Sequence, residues 1–248
     1  MRETDKYIIY DIDDKLISLY TKKPVDINFH VHSEEELNNK FLELSKDINY
    51  EFKNVILPRQ SHTTNVEVVF EDNIDSKLLD VDAVVTNLKG VALVTSSADC
   101  QNVFIYDKKN NVIGNVHSGW KGTLNKILRN TINVMIETYG SDPKDLVVCI
   151  NPSILKCCFE VDKDVVDMFN ANFNNIEDCI SLGDIKMSKQ KYYIDTVEIN
   201  KKELLNLGVL EDNIITNDFC SKCLNDKFHS YRADGINAGR NIALIVIK

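Results

Sequence analysis

Cys100 and His117 are the two side chains of this 248-residue chain whose types and placement could do chemistry. Each follows a short apolar run. Val91-Ala92-Leu93-Val94 leads through Ser96-Ser97-Ala98-Asp99 into Cys100, and Val112-Ile113-Gly114-Asn115-Val116 leads into His117. A thiol and an imidazole at the ends of strands can face each other across a sheet. The pairing supports a cysteine nucleophile with a histidine base, or two ligands of a metal whose third is still to be found. The bland reading is a small buried thiol and a hydrogen-bonded turn histidine.

The elements that must position these groups read mainly as strands, because the apolar runs are short and bounded by polar turns. Residues 7–10 and 16–20 form a hairpin pattern, and 103–106 returns as 112–116 through Lys108-Lys109-Asn110-Asn111. Residues 55–57 and 66–70 flank the polar loop Arg59-Gln60-Ser61-His62-Thr63-Thr64, which puts His62 where functional residues collect. Residues 81–86, 91–95, 146–150 and the fully apolar 242–247 complete the strand set, the last expected at the centre of a sheet. Ile27 to His32 alternates, so His30 and His32 are expected on one face of an extended segment.

Helices are expected from Ser33 to Leu44, with three glutamates against the positive end of the dipole, and over 163–170 and 196–207. The clearest runs from Gly122-Thr123 to Gly140, with Leu124, Ile127, Leu128, Ile132, Met135 and Ile136 at helical spacing. Its start follows His117 closely, so its N–H groups could hold an anion there. Arg232 and Arg240, near strand ends, are either further anion ligands or members of surface ion pairs. Residues 172–190 are polar and weakly patterned, and read as a flexible excursion. Cys220-Ser221-Lys222-Cys223 is a CxxC without a second pair, and the adjacent Cys157 and Cys158 read as packing residues.

A net charge of −9 offers no electrostatic footprint for nucleic acid or an anionic membrane, and no apolar run approaches a bilayer span. The first residues lack the apolar core of a secretory signal, and seven irregularly spaced cysteines suit a reducing compartment, so the cytoplasm is the expected location. The absence of GxGxxG, P-loop and serine-elbow motifs disfavours nicotinamide, nucleoside-triphosphate and serine-hydrolase chemistry.

Asp82-Ala83-Val84-Val85-Thr86, Ala98-Asp99-Cys100, His117-Ser118-Gly119-Trp120-Lys121-Gly122-Thr123, Asn151-Pro152-Ser153-Ile154, Phe159-Glu160-Val161, Ser230-Tyr231-Arg232 and Gly239-Arg240 occur together. As a set they resemble the laccase-domain family, also called multicopper polyphenol oxidase-like or purine nucleoside phosphorylase family. The resemblance implies one domain over 1–248, with an α/β (α+β) fold that layers mixed β-sheets between helices. It also implies that His62, in the motif Gln60-x-His62, joins Cys100 and His117 as the third ligand of a zinc ion, with copper ranked below zinc because five histidines cannot furnish several copper sites. Cys100, His117 and Asp99 are then the expected catalytic groups, and Arg232, Arg240, Gly122 and Thr123 the expected phosphate contacts. The implied activities are phosphorolysis of adenosine, inosine and methylthioadenosine, with adenosine deamination. A metal-free cysteine hydrolase using Cys100 and His117, acting on cell-wall precursors, is the alternative. Lys121 stands where the family has arginine, Asn151 where it has glycine and Asn102 where it often has proline. Its N-terminal Gly-Gly loop is replaced by Thr21-Lys22-Lys23-Pro24.

Overall fold

The computed structural model describes residues 1–29 and 31–248. The first half of the chain contributes β1 (Arg2–Glu3), β2 (Tyr7–Ile9), β3 (Leu16–Thr21), α1 (Glu34–Asp47), β4 (Asn54–Ile56), β5 (Val66–Val68), β6 (Ala83–Thr86), β7 (Val91–Ser97), β8 (Gln101–Asp107) and β9 (Val112–Ser118). After them come α2 (Trp120–Leu124), α3 (Ile127–Tyr139), β10 (Leu146–Ile150), β11 (Glu160–Val161), α4 (Lys163–Asn172), β12 (Ile180–Lys186) and β13 (Lys189–Ile194). The chain closes with α5 (Thr196–Asn206), β14 (Ile214–Ile215), α6 (Tyr231–Asp234) and β15 (Asn241–Ile247).

Two six-stranded mixed sheets form the centre, ordered β1-β2-β3-β15-β7-β4 and β14-β10-β8-β9-β6-β5, beside a small sheet β11-β13-β12. Apolar side chains from both large sheets interlock between them, among them Tyr20, Leu93 and Ile245 from the first and Phe104, Tyr106 and Ile113 from the second. The outer face of the second sheet packs on α3 through Val112, Val116, Ile132 and Met135. The outer face of the first packs on Phe41 and Leu44 of α1. Helix, sheet, sheet, helix is therefore the layer order, the sandwich anticipated above. Among the described residues no helix is long and apolar enough to cross a membrane.

Local signals explain most elements. Ser33 caps α1 by a full capping box with Glu36, and α3 stops at Gly140, whose φ of +69° suits a residue without a side chain. The closing strand β15 lies between β3 and β7, central and buried along its length. Three expectations are corrected. The helix expected over 122–140 is broken after Leu124, where Lys126 takes a left-handed φ of +62° and α3 starts anew. Residues 172–190 are no excursion: they carry the end of α4 and most of the β12–β13 hairpin. The segment before α1 is not extended, because the N–H groups of Val31 and His32 fold back onto the Asn28 carbonyl; His30 lies outside the described residues.

Strand period does the positioning that matters most. On β9, Val112 and Val116 face the helices, so Ile113, Asn115 and His117 face the opposite sheet. Asn115 is fully buried and crosses the sandwich: its amide donates to the carbonyls of Leu93 and Ala243, both at 2.8 Å, and accepts from the Thr95 hydroxyl at 2.7 Å. Replacing Asn115 by leucine strands these partners in an apolar layer. It should lower stability by on the order of 3 kcal/mol, seen as a lower urea midpoint at unchanged slope; an unchanged midpoint would deny the amide this role.

Candidate functional site

The three segments that carry His62, Cys100 and His117 meet where the chain passes between the two large sheets. The loop from β4 to β5 leaves the first sheet and enters the second, and so does the short turn from β7 to β8. His117 sits near the end of β9, beside that turn through the β8–β9 pairing. One ligand atom from each of the three side chains lies within 4.8 Å of the others. The His62 Nε2 is 3.8 Å from the Cys100 sulfur, and the two imidazole rings are 5.0 Å apart between centroids.

A buried carboxylate organises this meeting. Asp82, just before β6, accepts the Nδ1–H of His117 at 2.8 Å. It also accepts the backbone N–H groups of Ser61, His62 and Thr63 at 3.2, 3.1 and 2.7 Å, and the Thr63 hydroxyl at 2.8 Å. These contacts wind the loop so tightly that His62 adopts a φ of +63°, a left-handed geometry uncommon outside glycine and asparagine. Gln60 fastens the same loop to β7, its amide donating to the Ser96 carbonyl at 2.9 Å and accepting the Ser96 N–H at 2.8 Å. Gly119 closes the other side: a Cβ there would stand 2.7 Å from His62 Cδ2 and 3.1 Å from the Cys100 sulfur.

The electrostatics follow from these contacts. Burial alone would raise the Asp82 pKa, but the His117 and Thr63 hydrogen bonds outweigh it and hold it at about 2. Burial likewise opposes a charged His117, yet Asp82 and the Cys100 thiol raise its pKa to about 9. Burial also disfavours the Cys100 thiolate, and the hydrogen bond and charge of His117, then those of His62, nevertheless pull it down to about 6. Each group thus favours the charged form of the other, thiolate beside imidazolium, in the metal-free pair. With Nδ1–H committed to Asp82, Nε2 is the His117 atom left for Cys100 or for a metal, the usual carboxylate–histidine–metal arrangement. Three such donors leave one position of a tetrahedron open, as catalytic metal sites require.

These groups line a cavity of about 430 Å³, together with Trp120, Phe159, Tyr231, Arg232 and Arg240. Asp99 lines it too, at a left-handed φ of +92°, but its carboxylate is engaged on the wall: it accepts the Ser221 hydroxyl and the Arg232 backbone N–H, each at 2.6 Å. Arg232 rests its guanidinium 5.6 Å from the Phe159 ring centroid and donates to the Glu160 carbonyl at 3.1 Å. Arg240 donates to the carbonyls of Ala238 and Gly239. Neither arginine has a side-chain ion pair among the described residues. Gly122 and Thr123 are not brought to the cavity. Both are buried in α2, with the Thr123 N–H bonded to the Gly119 carbonyl at 2.9 Å and its hydroxyl 2.9 Å from that of Ser118. Sequence reasoning quoted Asp82, Gln60 and Gly119 without giving them a role. The signal for Asp82 is a carboxylate directly before the apolar run Ala83-Val84-Val85.

Two outcomes are expected. In metal-free protein, alkylation of Cys100 should follow a thiolate titrating near pH 6, rising as pH is raised through that value. Asp82→Asn should move this midpoint upward, because a less basic His117 no longer supports the thiolate; peptide mapping of iodoacetamide adducts against pH reads both, and an ordinary thiol midpoint in the parent chain would refute the assignment. Gly119→Ala should displace His62 from the cluster and weaken metal binding by roughly tenfold or more, measured by competition with a chromophoric chelator; unchanged affinity would exclude the close-approach role.

Comparison with known proteins supports the fold and shows the family. The chain is 34% identical over 200 residues to a purine nucleoside phosphorylase of Bacteroides thetaiotaomicron, covering 78% of this chain and 73% of that protein. It is 30% identical over 214 residues to adenosine deaminase RL5 of an unknown prokaryotic organism, covering 84% and 80%. The crystal structure of the hypothetical protein YfiH of Bacillus licheniformis superposes with a TM-score of 0.90 at 23% identity, covering 99% of this chain and 98% of that one. A family model described as multi-copper polyphenol oxidoreductase laccase matches residues 18–248. The expectation of zinc is thereby corrected. The family signal is a copper one, and two imidazoles with one thiolate form a donor set that suits copper as well as zinc. Only one described cluster contains histidine, so the residues fit a single ion there, at a Cys/His site that singles out no zinc. By its sequence match, its fold and its Cys/His centre, the chain belongs to the multi-copper polyphenol oxidoreductase laccase family.

Proposed function

We propose that the chain is a purine nucleoside phosphorylase with adenosine deaminase side activity, working in a reducing, cytoplasmic setting. The observation that carries this reading is that two arginines, Arg232 and Arg240, line the same cavity as the Cys/His centre. In a chain of net charge −9, two arginines whose guanidinium groups have no ion pair among the described residues offer a local anion site at the cavity wall. A cavity of about 430 Å³ lies in the range of small-molecule sites, and the similarity to proteins named purine nucleoside phosphorylase and adenosine deaminase supports the substrate class.

In this reading phosphate lies against Arg232 and Arg240, whose side chains are already held by main-chain carbonyls and so need little ordering on binding. Trp120, Phe159 and Tyr231 offer aromatic surface to the base. Asp99 keeps Arg232 in place through its backbone N–H. A phosphate oxygen attacks C1′ of the ribose, the bond from C1′ to the purine nitrogen breaks, and its electron pair leaves with the base, which takes up a proton. A metal ion held by His62, Cys100 and His117 supplies Lewis acidity when bound. Asp82 orients His117 for that duty and excludes the wrong tautomer.

The same geometry serves a second reading well. Cys100, His117 and Asp82 stand in the order nucleophile, base and orienting carboxylate, and a thiol with a pKa of about 6 is an activated nucleophile. Thiol, imidazole and carboxylate so placed support cysteine-hydrolase chemistry without a metal, with cell-wall precursors as the substrate class considered for it. Inosine turnover separates the two. Phosphorolysis requires added phosphate and yields ribose 1-phosphate, and Arg232→Ala should lower kcat/KM for phosphate by roughly 10- to 100-fold, the worth of one charge-assisted contact. Free ribose released at the same rate without phosphate, or activity indifferent to chelation with rapid labelling of Cys100, would replace the phosphorylase by the hydrolase.

A further inference from the structure

Four cysteines meet on the outer side of the cavity wall. Cys157 and Cys158 lie in the turn after Ile154, and Cys220 and Cys223 in the turn that precedes Phe228. All four sulfurs are within 4.8 Å of one another. The adjacent pair is therefore not merely packing, and the CxxC does have its second pair. Sequence spacing hid this because the two turns are brought together by the fold: Ser153 bridges to Cys220 in parallel fashion, and the Ser221 N–H donates to the Ser153 carbonyl at 2.9 Å.

The distances speak for a particular chemistry. The sulfur of Cys223 is 3.4 Å from that of Cys158 and 3.7 Å from that of Cys157. A disulfide would place sulfurs about 2.05 Å apart. Four sulfurs each about 2.3 Å from a central ion are about 3.8 Å from one another, the edge of a tetrahedron. The backbone N–H groups of Leu155 and Cys223 point at the Cys220 sulfur, the hydrogen bonding that supports a metal-bound thiolate. Cys220 is buried, while Cys157 and Cys223 are exposed, so the cluster is backed by protein and open to loading from solvent.

We propose that Cys157, Cys158, Cys220 and Cys223 form a second metal site, a closed shell of four thiolates around one thiophilic transition-metal ion. Four protein ligands leave no open position, so the role is structural. Loading releases the thiol protons to solvent and changes no oxidation state. The ion ties together the two turns that seat the anion-binding wall. Arg232 donates to the Cys158 carbonyl at 3.4 Å, and Ser221, next to Cys220, donates its hydroxyl to Asp99 at 2.6 Å.

Cobalt(II) is the probe, added to reduced, metal-stripped Cys100→Ala protein so that the other centre is disabled. About one equivalent should bind, with tetrahedral d–d bands and intense sulfur-to-cobalt charge transfer. Cys157→Ser and Cys223→Ser, made separately at exposed positions in that background, should each weaken cobalt binding at least tenfold with circular dichroism unchanged. In the parent chain, iodoacetamide labelling of Cys157 and Cys223 should quicken at least tenfold after stripping, a measurement that needs no variant. Absence of thiolate–cobalt absorption, binding indifferent to both serine variants, equal labelling before and after stripping, or a Cys158–Cys223 disulfide in protein kept reduced would each overturn the proposal.

Discussion

The buried carboxylate of Asp82 is the constraint on which the site depends. A charge removed from water is costly unless its oxygens are fully hydrogen-bonded. Here backbone and hydroxyl donors from one loop and an imidazole from another element satisfy it together. The result is that two histidines from different parts of the chain are held by one anion. His62 is placed by its backbone and His117 by its ring. Removing the charge would release both at once, which is why neither histidine can be understood from its own neighbours in sequence.

The surrounding architecture turns this local anchor into a cavity. Both loops that deliver His62 and Cys100 are crossings between sheets, so the centre sits where the sandwich exchanges strands. Gly119 lets α2 start close enough to roof the cluster. Asp99, on the same cavity, is tied by neutral donors, the Ser221 hydroxyl and the Arg232 backbone N–H, so neither guanidinium is ion-paired to it. An acidic protein can thus keep two arginines on a cavity wall, where fixed charges at close range count for more than a distant net charge screened by salt.

How much of this could be read in the chain depended on the range of the interactions. Strands β7, β8, β9 and β15 were legible because burial on both faces leaves continuous apolar runs, and Cys100 and His117 were legible as polar groups at the ends of such runs. The β12–β13 hairpin was not. Its turn uses Met187 and Ser188 at φ of +49° and +64°, a two-residue geometry normally signalled by asparagine and glycine. Leu182, Ile185 and Met187 are exposed, so the hairpin carries little of the burial pattern that marks a strand. The break at Lys126 was hidden for a similar reason, since a lysine in a left-handed conformation leaves no compositional trace. The convergence of the four cysteines rests on a bridge between Ser153 and Cys220, a contact that spacing does not encode.

Asn115 has a mechanical consequence for ligand entry. Its amide nitrogen is bonded to both β7 and β15 and its oxygen to β7, so one side chain of the second sheet ties two strands of the first. Sliding one sheet over the other would break every one of these bonds in a layer buried from solvent. The frame is therefore pinned against shear only one side-chain step along β9 from His117. The rim is tied less firmly: α6 sits on the surface, with Tyr231 57% and the following Ile236 91% exposed.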